Sequence, residues 1–226
     1  MLSSWLFGVP AWVALRVLWR VRVVGKHHLR GLRPPFLMVS NHQSMIDSHV
    51  ACLAFGLIPR GLFDARIVPF HTPEGRNFMA GRLTRLLHLG LRCVPFTRGA
   101  GLHQPAMATV IDLLRRRNVV YMFPEGTRTR DPAGAIRERA TPGVGRVLLE
   151  ARCDVLPVHL SGMNETLPIG ARLPRPGKTI TITVGDQVPF SEFEDLPNDR
   201  KGWQAAAEAL LDRIRALAPQ DLQVER

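Results

Sequence analysis

Short apolar runs alternate along the chain with segments of helical periodicity. Continuous apolar runs predict buried strands, and a run in which apolar and polar residues alternate predicts a half-exposed strand. On this basis we predict strands at 36–40, 91–96, 119–123, 154–160 and 178–184. Apolar residues at helical spacing predict helices at 44–57, 77–90, 104–117, near 142–152 and at 201–218. Strands that alternate with helices predict an α/β fold with a mixed, largely parallel sheet flanked by helices.

The N-terminal segment has a different pattern. Residues 1–15, MLSSWLFGVPAWVAL, are strongly apolar and lead into Arg16, Arg20 and Arg22. No positive charge precedes the apolar run, which argues against a signal peptide, and the run is shorter than the ~20 residues of a membrane-spanning helix. Its tryptophans and the arginines after it predict a helix that lies in the membrane interface. The alternative is a helix packed against the body of the domain.

One basic, proline-rich stretch divides the chain. We predict an N-terminal membrane-associating helix at 1–24, a linker at 25–35 and one catalytic domain at 36–226. A chain of 226 residues, 46% of them apolar and 22% charged, is globular and can bury a sizeable core. The three cysteines are far apart and odd in number, which argues against a disulfide framework or a zinc site and fits a reducing compartment.

The formal net charge of +11 requires an anionic partner, such as nucleic acid, a phospholipid surface or an acidic carrier. Nearly all of the cations are arginines, whose planar guanidinium group suits phosphate. Aromatic residues do not alternate with the basic residues, as binding to single-stranded nucleic acid would require. We therefore expect a membrane surface as a partner and no nucleic acid.

The segment SNHQSMID, residues 40–47, places a histidine and an aspartate five positions apart where a buried strand ends. One interpretation is a polar helix start, capped by the serine or asparagine that precedes His42. The other is a catalytic pair, His42 and Asp47, in which the carboxylate orients the ring of a general base. A metal site that includes His49 is disfavoured, because no second cluster of histidines or carboxylates lies nearby in the sequence.

A second polar segment follows the strand at 119–123, where VVYMFPEGTRTR breaks at a proline. It contains Glu125, Gly126, Thr127 and Arg128. In open α/β sheets ligands bind at the C-terminal edge of the strands, and an arginine can bind a phosphate through two hydrogen bonds. The alternative is an ordinary solvent-exposed turn.

Two more segments have weaker signals when taken singly. VPFTRGAG, residues 94–101, is a strand end followed by Arg98, and VLPVHLSG, residues 155–162, is a strand that contains a proline. Taken in this order, NHQSMID, PFTRG, FPEGTR and VLPVHLSG resemble the four motifs of the glycerolipid acyltransferase family, typified by 1-acyl-glycerol-3-phosphate acyltransferase. The resemblance extends from about Pro35 to Gly185, which is the bulk of the domain.

The resemblance implies that an acyl group moves from a thioester to a hydroxyl of a glycerophospholipid. His42 would take the hydroxyl proton as general base, and Asp47 would fix its tautomer and stabilise the imidazolium ion. No metal or other cofactor is expected, since acyl-CoA or acyl-carrier protein serves as co-substrate. The substrate-binding residues that the resemblance implies are Arg98, Glu125, Gly126, Thr127 and Arg128.

Three finer expectations accompany these roles. Glu125 is an awkward phosphate ligand, so we expect it to orient Arg128 or a backbone group, or to meet the hydroxyls of the acceptor. The developing oxyanion needs backbone N–H donors, for which the helix start near His42 is a candidate. Pro157 and its apolar neighbours are expected to shape the acyl side of the site.

The predicted function is acylation of 1-acyl-glycerol-3-phosphate to phosphatidate by a membrane-associated enzyme at the cytoplasmic face. An alternative acceptor is another lyso-lipid. The two arginines, Arg98 and Arg128, favour an acceptor with a phosphate group. A remote alternative is a non-catalytic basic module that binds membranes or nucleic acid.

Overall fold

The computed structural model describes residues 13, 15–61, 63–75, 91–171 and 173–219. Within these ranges the chain forms a central sheet covered by helices on both faces. No helix in the described ranges is both long enough and apolar enough to cross a membrane.

The sheet has six strands in the described part of the chain. Their order across the sheet is β1-β6-β5-β2-β4-β3. All neighbouring strands are parallel except β5 and β6, which are antiparallel. The predicted mixed, largely parallel sheet is therefore confirmed. The strands are β1 (Arg20–Val24), β2 (Phe36–Ser40), β3 (Phe70–His71), β4 (Val119–Met122), β5 (Asp154–Ser161) and β6 (Thr179–Val184).

Helices of very different length flank this sheet. One apolar core lies between the sheet and α3, α4 and α6, and a second lies on the other face, beneath α1. All five residues of β2 are buried, as expected for a central parallel strand that is covered on both faces. The α-helices are α1 (Asp47–Ala54), α2 (Leu57–Arg60), α3 (Pro105–Arg115), α4 (Pro142–Ala151), α5 (Met163–Thr166) and α6 (Arg200–Ala216); short 3₁₀ helices occur at Lys26–Leu29, Ala65–Ile67 and Phe190–Glu192.

Helices α4 and α6 make a close backbone contact on the first face. Gly145 allows it, because a Cβ atom at this position would lie 1.9 Å from the backbone oxygen of Trp203. Prolines begin both α3 and α4, where the missing N–H costs no helical hydrogen bond. These two helix starts lie beside the cavity described below.

Of the elements predicted after residue 35, most are present, two differ from the prediction and one is untested. The helix predicted from residue 44 begins at Asp47, because the amides before it bind the aspartate side chain. The strand predicted at 91–96 is reduced to isolated bridges at Cys93 and Phe96, which pair with His71 and Glu74. The helix predicted at 77–90 lies outside the described residues.

The N-terminal prediction is wrong for its last five residues. Arg20–Val24 form the edge strand β1, whose residues pair with β6 over its whole length, whereas residues 15–18 are helical. The stretch predicted as a linker, 25–35, includes a 3₁₀ helix and buries Leu29 and Leu32 in the core. The interfacial helix itself stays a prediction, since residues 1–12 lie outside the described part of the chain.

The strand directions bring the sequence motifs to one edge of the sheet. Strands β2, β4 and β5 are parallel, so the segments that follow them emerge at the same edge. The HQSMID, FPEGTR and Ser161-Gly162 segments all begin there. We refer to it as the motif edge.

Candidate active site

His42 follows β2 at the motif edge, and its ring contacts Asp47, the first residue of α1. The His42 Nδ1 and Asp47 Oδ2 atoms are 2.9 Å apart. The Asp47 side chain is fully buried, while 19% of the His42 side chain is exposed. An ionised carboxylate only accepts hydrogen bonds, so Nδ1 is the donor in this pair and Nε2 keeps its lone pair. The predicted contact is confirmed, and it leaves Nε2 available to act as a base.

Asp47 is held by the chain that precedes it. Its Oδ2 atom also accepts hydrogen bonds from the backbone amides of Gln43, at 2.6 Å, and Ser44, at 2.9 Å. These are the amides of the helix start that the sequence suggested as oxyanion donors. They are engaged by the aspartate, so that expectation is not met.

Glu125 supports the backbone of the histidine. It is fully buried. Its Oε1 accepts from the His42 amide at 2.6 Å, and its Oε2 accepts from the Arg137 amide at 3.0 Å. Burial raises the pKa of this carboxyl, while the two backbone hydrogen bonds lower it by a smaller amount. Of the three roles expected for Glu125, this arrangement matches the orientation of a backbone group.

The segment 123–129, FPEGTRT, makes two further contacts with the histidine. The Phe123 ring stacks on the His42 ring with centroids 3.9 Å apart, and the Thr129 amide donates to the His42 carbonyl at 2.8 Å. Gly126 turns the chain at φ +67°, where a Cβ atom would lie 2.8 Å from the Thr141 side chain. The two most informative motifs of the sequence are thus one structural unit.

A cavity of about 470 Å³ opens beside His42. Four of the predicted substrate-binding residues line it, namely Arg98, Gly126, Thr127 and Arg128. The Arg98 guanidinium group lies 3.3 Å from the Thr127 hydroxyl and 3.4 Å from the Glu74 carboxylate. The Arg128 side chain makes no hydrogen bond or ion pair with the described residues. The cavity therefore combines the His42 ring with two arginines, one of which, Arg128, has no partner among the described residues.

The rest of the cavity wall is largely apolar. This wall comes from the 91–98 segment, β4, and the start of α3 and α4; its apolar members are Phe96, Leu102, Met107, Met122 and Val144. An apolar wall beside a cationic mouth suits an amphiphilic ligand. Pro157, which was expected to shape the acyl side, is not among the lining residues, because it lies within β5 and pairs with Val39 of β2.

The pairing of two histidines in the cavity wall, His49 and His71, was not predicted from the sequence. His49 of α1 and His71 of β3 stack with ring centroids 3.9 Å apart, and both line the cavity. Burial lowers the pKa of His71 well below its ordinary value, and the nearby His49 and Arg92 lower it further. His71 is therefore neutral at physiological pH. The sequence signal for this pair is weak. The only signal for His49 is its helical spacing from His42, which many surface residues share. His71 lies on a two-residue strand that has no strong hydrophobic pattern.

The described ranges contain no group of three or more histidine, cysteine, aspartate or glutamate side chains that could hold a metal ion. His49 stacks on the ring of His71, whereas Asp47 contacts the ring of His42. The three cysteines are buried thiols.

Comparison with known proteins gives a consistent family. The model of the family described as "Acyltransferase" matches residues 20–161, which is more than half of the chain and includes His42, Arg98 and the whole FPEGTR segment. The crystal structure of the 1-acyl-sn-glycerophosphate (LPA) acyltransferase PlsC from Thermotoga maritima superposes with a TM-score of 0.66. It covers 97% of this chain and 78% of that one at 19% sequence identity, which shows a common fold.

Curated relatives are also found. Tafazzin of Drosophila melanogaster is 27% identical over 229 aligned residues, which cover 96% of this chain and 59% of the relative. The N-acylphosphatidylethanolamine synthase of Arabidopsis thaliana is 29% identical over 173 residues, which cover 69% of this chain and 56% of the relative. The chain thus spans a little over half the length of the curated relatives it matches.

Proposed function

Because the chain belongs to the acyltransferase family, we propose that it transfers an acyl group from an acyl thioester to the free hydroxyl of 1-acyl-glycerol-3-phosphate and yields phosphatidate. One observation carries the proposal. His42 contacts Asp47 through Nδ1 and lines the cavity, where its Nε2 atom is available. Arg98 and Arg128 lie at the mouth of this cavity, and the rest of its wall is largely apolar. A base, a phosphate site and an acyl site are the three parts that the reaction requires.

The chemistry follows from the orientation of His42. Its Nε2 atom takes the proton of the acceptor hydroxyl as that oxygen bonds to the carbonyl carbon of the thioester. Asp47 stabilises the imidazolium ion that forms, because its carboxylate lies 2.9 Å from Nδ1. The C–S bond then breaks, and the departing thiolate takes the proton from Nε2. Such a base contributes about 10²–10⁴ to the rate.

The oxyanion of the tetrahedral intermediate needs donors other than the amides that bind Asp47. The backbone amides of Thr127 and Arg128 are candidates. Both residues line the cavity, and neither amide donates to another group of the described chain. Two adjacent amides at the start of a loop can share one oxyanion, as the stabilisation of developing charge requires.

The acceptor phosphate is assigned to the two arginines. Arg128 has no protein partner in the described chain, so a phosphate at the cavity mouth would be its first ion pair. Arg98 is shared with Glu74 and Thr127, and a phosphate would compete with Glu74 for it. The direct transfer uses only His42, backbone amides and the thioester, so we propose no metal or organic cofactor. The donor is acyl-CoA or acyl-carrier protein, and the reaction takes place at the cytoplasmic face of a membrane, with no nucleic acid involved.

A second candidate acceptor is another lyso-phospholipid. It is favoured by the names of the curated relatives, Tafazzin and N-acylphosphatidylethanolamine synthase, neither of which is named for lysophosphatidate. The same His42–Asp47 pair would serve this reaction, and the difference would lie in what surrounds the phosphate. Because the mouth of the cavity is cationic in either case, the phosphate remains part of the acceptor that we propose.

An acceptor series tests the proposal. Thiol release from an acyl thioester is measured with lysophosphatidate, with lysophosphatidylethanolamine and with uncharged monoacylglycerol, each dispersed in detergent. We expect the highest kcat/KM with lysophosphatidate and the lowest with monoacylglycerol. A preference for a lyso-phospholipid with a larger headgroup would select the second candidate. Equal rates with monoacylglycerol would contradict the phosphate site, and no release with any acceptor would favour a binding module.

A further inference from the structure

The motif edge of the sheet also carries an apolar surface that the cavity does not use. β6 is antiparallel to β5, and β1 is parallel to β6, so β1 and β6 begin at the edge where β5 ends. The helical segment 15–18 precedes β1, and the loop 167–178 precedes β6. Both segments therefore lie along the same edge as His42.

The residues of the helical segment and Trp19, which follows it, divide between the core and the surface. Leu15 and Trp19 point inward and are buried in the core. Val17 and Leu18 point outward, with 76% and 40% of their surface exposed. Arg16, in the same segment, is exposed as well. Exposed apolar side chains that lie together often mark a surface that contacts a membrane or another protein.

The loop 167–178 adds to this outward surface. Ile169 is 51% exposed and Leu173 is 79% exposed. The loop is tied to the helical segment by two hydrogen bonds of 2.7 Å, from the Trp19 indole to the Arg175 carbonyl and from the Gly177 amide to the Leu18 carbonyl. These two hydrogen bonds hold the loop beside the helical segment, so the exposed side chains of both lie on neighbouring parts of the surface.

Arginines border these apolar side chains. Arg20 begins β1, Arg175 lies in the loop, and both are exposed. Exposed apolar residues next to arginines are the composition of a surface that enters the headgroup region of a bilayer, where the apolar groups reach the acyl chains and the arginines meet phosphates. The chain's net charge of +11 favours lipids that are anionic.

We propose that these residues form a docking rim for an anionic phospholipid bilayer. The rim comprises Val17, Leu18, Ile169 and Leu173 with Arg20 and Arg175. It deepens the function proposed above, on which it rests, because it would place the bilayer along the edge at which the cavity opens. A lyso-phospholipid could then move from the bilayer toward His42. The loop contributes to this contact independently of the N-terminal residues 1–12.

Vesicle binding tests the rim. The double substitution Ile169→Glu with Leu173→Glu is compared with wild type by co-flotation with vesicles of phosphatidylcholine containing phosphatidylglycerol, and with pure phosphatidylcholine. The matched control is Phe63→Glu. Phe63 is 93% exposed but lies near the opposite edge of the sheet, just after Arg60, whose side chain binds carbonyl groups of the segment preceding β2.

We expect wild type and Phe63→Glu to bind the anionic vesicles, and the double variant to bind at least about tenfold more weakly, because burial of one leucine or isoleucine is equivalent to about tenfold in affinity or more. Weaker binding of wild type to pure phosphatidylcholine would support the role of the arginines. All variants should keep their thermal midpoints and their thiol-release rates on short-chain substrates in detergent.

Equal vesicle binding by wild type and the double variant would overturn the proposal. So would a loss of self-association in the double variant, measured by light scattering, without a loss of vesicle binding, since the surface would then bind a second copy of the chain. The detergent assay reports on the reaction separately. Vesicle binding through the rim in a protein without thiol release would contradict the proposed function and leave the rim in place.

Discussion

Substitution of Glu125 by glutamine separates two possible roles of this side chain. The sequence resemblance assigned it to substrate binding, whereas the structure buries it and directs its oxygens to the backbone amides of His42 and Arg137. Glutamine has one oxygen and one NH₂ group in place of the two oxygens. One of the two amides must then face a donor and lose its hydrogen bond.

The expected effect on stability is small because two contributions oppose each other. A hydrogen bond to a charged group contributes about 1.5–3 kcal/mol, and a buried amide left without an acceptor costs about 1–3 kcal/mol. In the other direction, glutamine removes the cost of burying a charge. Burial is the largest influence on the pKa of Glu125, and it raises that pKa. We therefore expect the free energy of unfolding to change by no more than about 1 kcal/mol at neutral pH.

The expected effect on catalysis is larger. The His42 amide lies 2.6 Å from Glu125 Oε1, so loss of this contact displaces the residue that holds the base. A displacement of about 1 Å can cost about 10² in rate. We predict a fall in kcat of about 10- to 100-fold with little change in the KM of the acceptor, measured by thiol release. Glu138→Gln, on the exposed surface nearby, serves as the control and should behave as wild type.

The dependence of protein stability on pH provides a second test of the Glu125→Gln variant. The folded protein binds the Glu125 proton more tightly than the unfolded chain does, because the pKa is raised. The stabilisation from this group is thus present below the ordinary pKa of glutamate and is lost as pH rises through the raised pKa. As pH rises through the raised pKa of Glu125, wild type should lose stability relative to Glu125→Gln.

A large increase in the KM of Glu125→Gln for the acceptor, with unchanged kcat, would refute the backbone role of Glu125 and support a role in substrate binding.

Three further predictions concern other residues. Asp47→Asn should lower kcat by about 10²–10⁴, because the neutral amide no longer stabilises the imidazolium ion that forms on His42; thiol release measures this. Arg128→Gln should raise the KM for lysophosphatidate about tenfold or more, while Arg130→Gln, two residues away and outside the cavity lining, should not. Burial lowers the pKa of His159 to about 4, so the folded state binds its proton less readily than the unfolded state. The stability from its neutral form is lost as pH falls below about 6.5, and His159→Leu should remove up to about 3 kcal/mol of acid destabilisation in denaturant titrations between pH 7 and 4.

The sequence predicted the fold well where apolar periodicity was strong. The five residues of β2 and the buried strand β4 appear where the continuous apolar runs are. The strand predicted at 91–96 failed because Pro95 interrupts it, and pairing is reduced to isolated bridges with the β3 region. The helix predicted to extend through residue 24 failed because Arg20–Val24 alternates between exposed and partly buried residues, a strand pattern that the preceding apolar run obscured.

The candidate site was predicted in part. The motif residues are brought to one edge because strand direction, which the alternation of strands and helices predicts, also decides where loops emerge. The contact between Glu125 and the His42 amide could not be predicted, because it joins residues 83 positions apart through a backbone group that has no sequence signature. The same holds for the stacked His49 and His71, since a pair of rings that meets across two elements leaves no spacing in the sequence.

The most direct test of the account is thiol release from an acyl thioester by wild type and by His42→Ala, with and without lysophosphatidate. His27→Ala, an exposed histidine near the opposite edge of the sheet, is the control. We expect acceptor-dependent release by wild type and by the control, and a loss of about 10²-fold or more in His42→Ala. Acceptor-dependent release that does not depend on His42 would contradict the central claim that this residue, oriented by Asp47, is the base of the reaction.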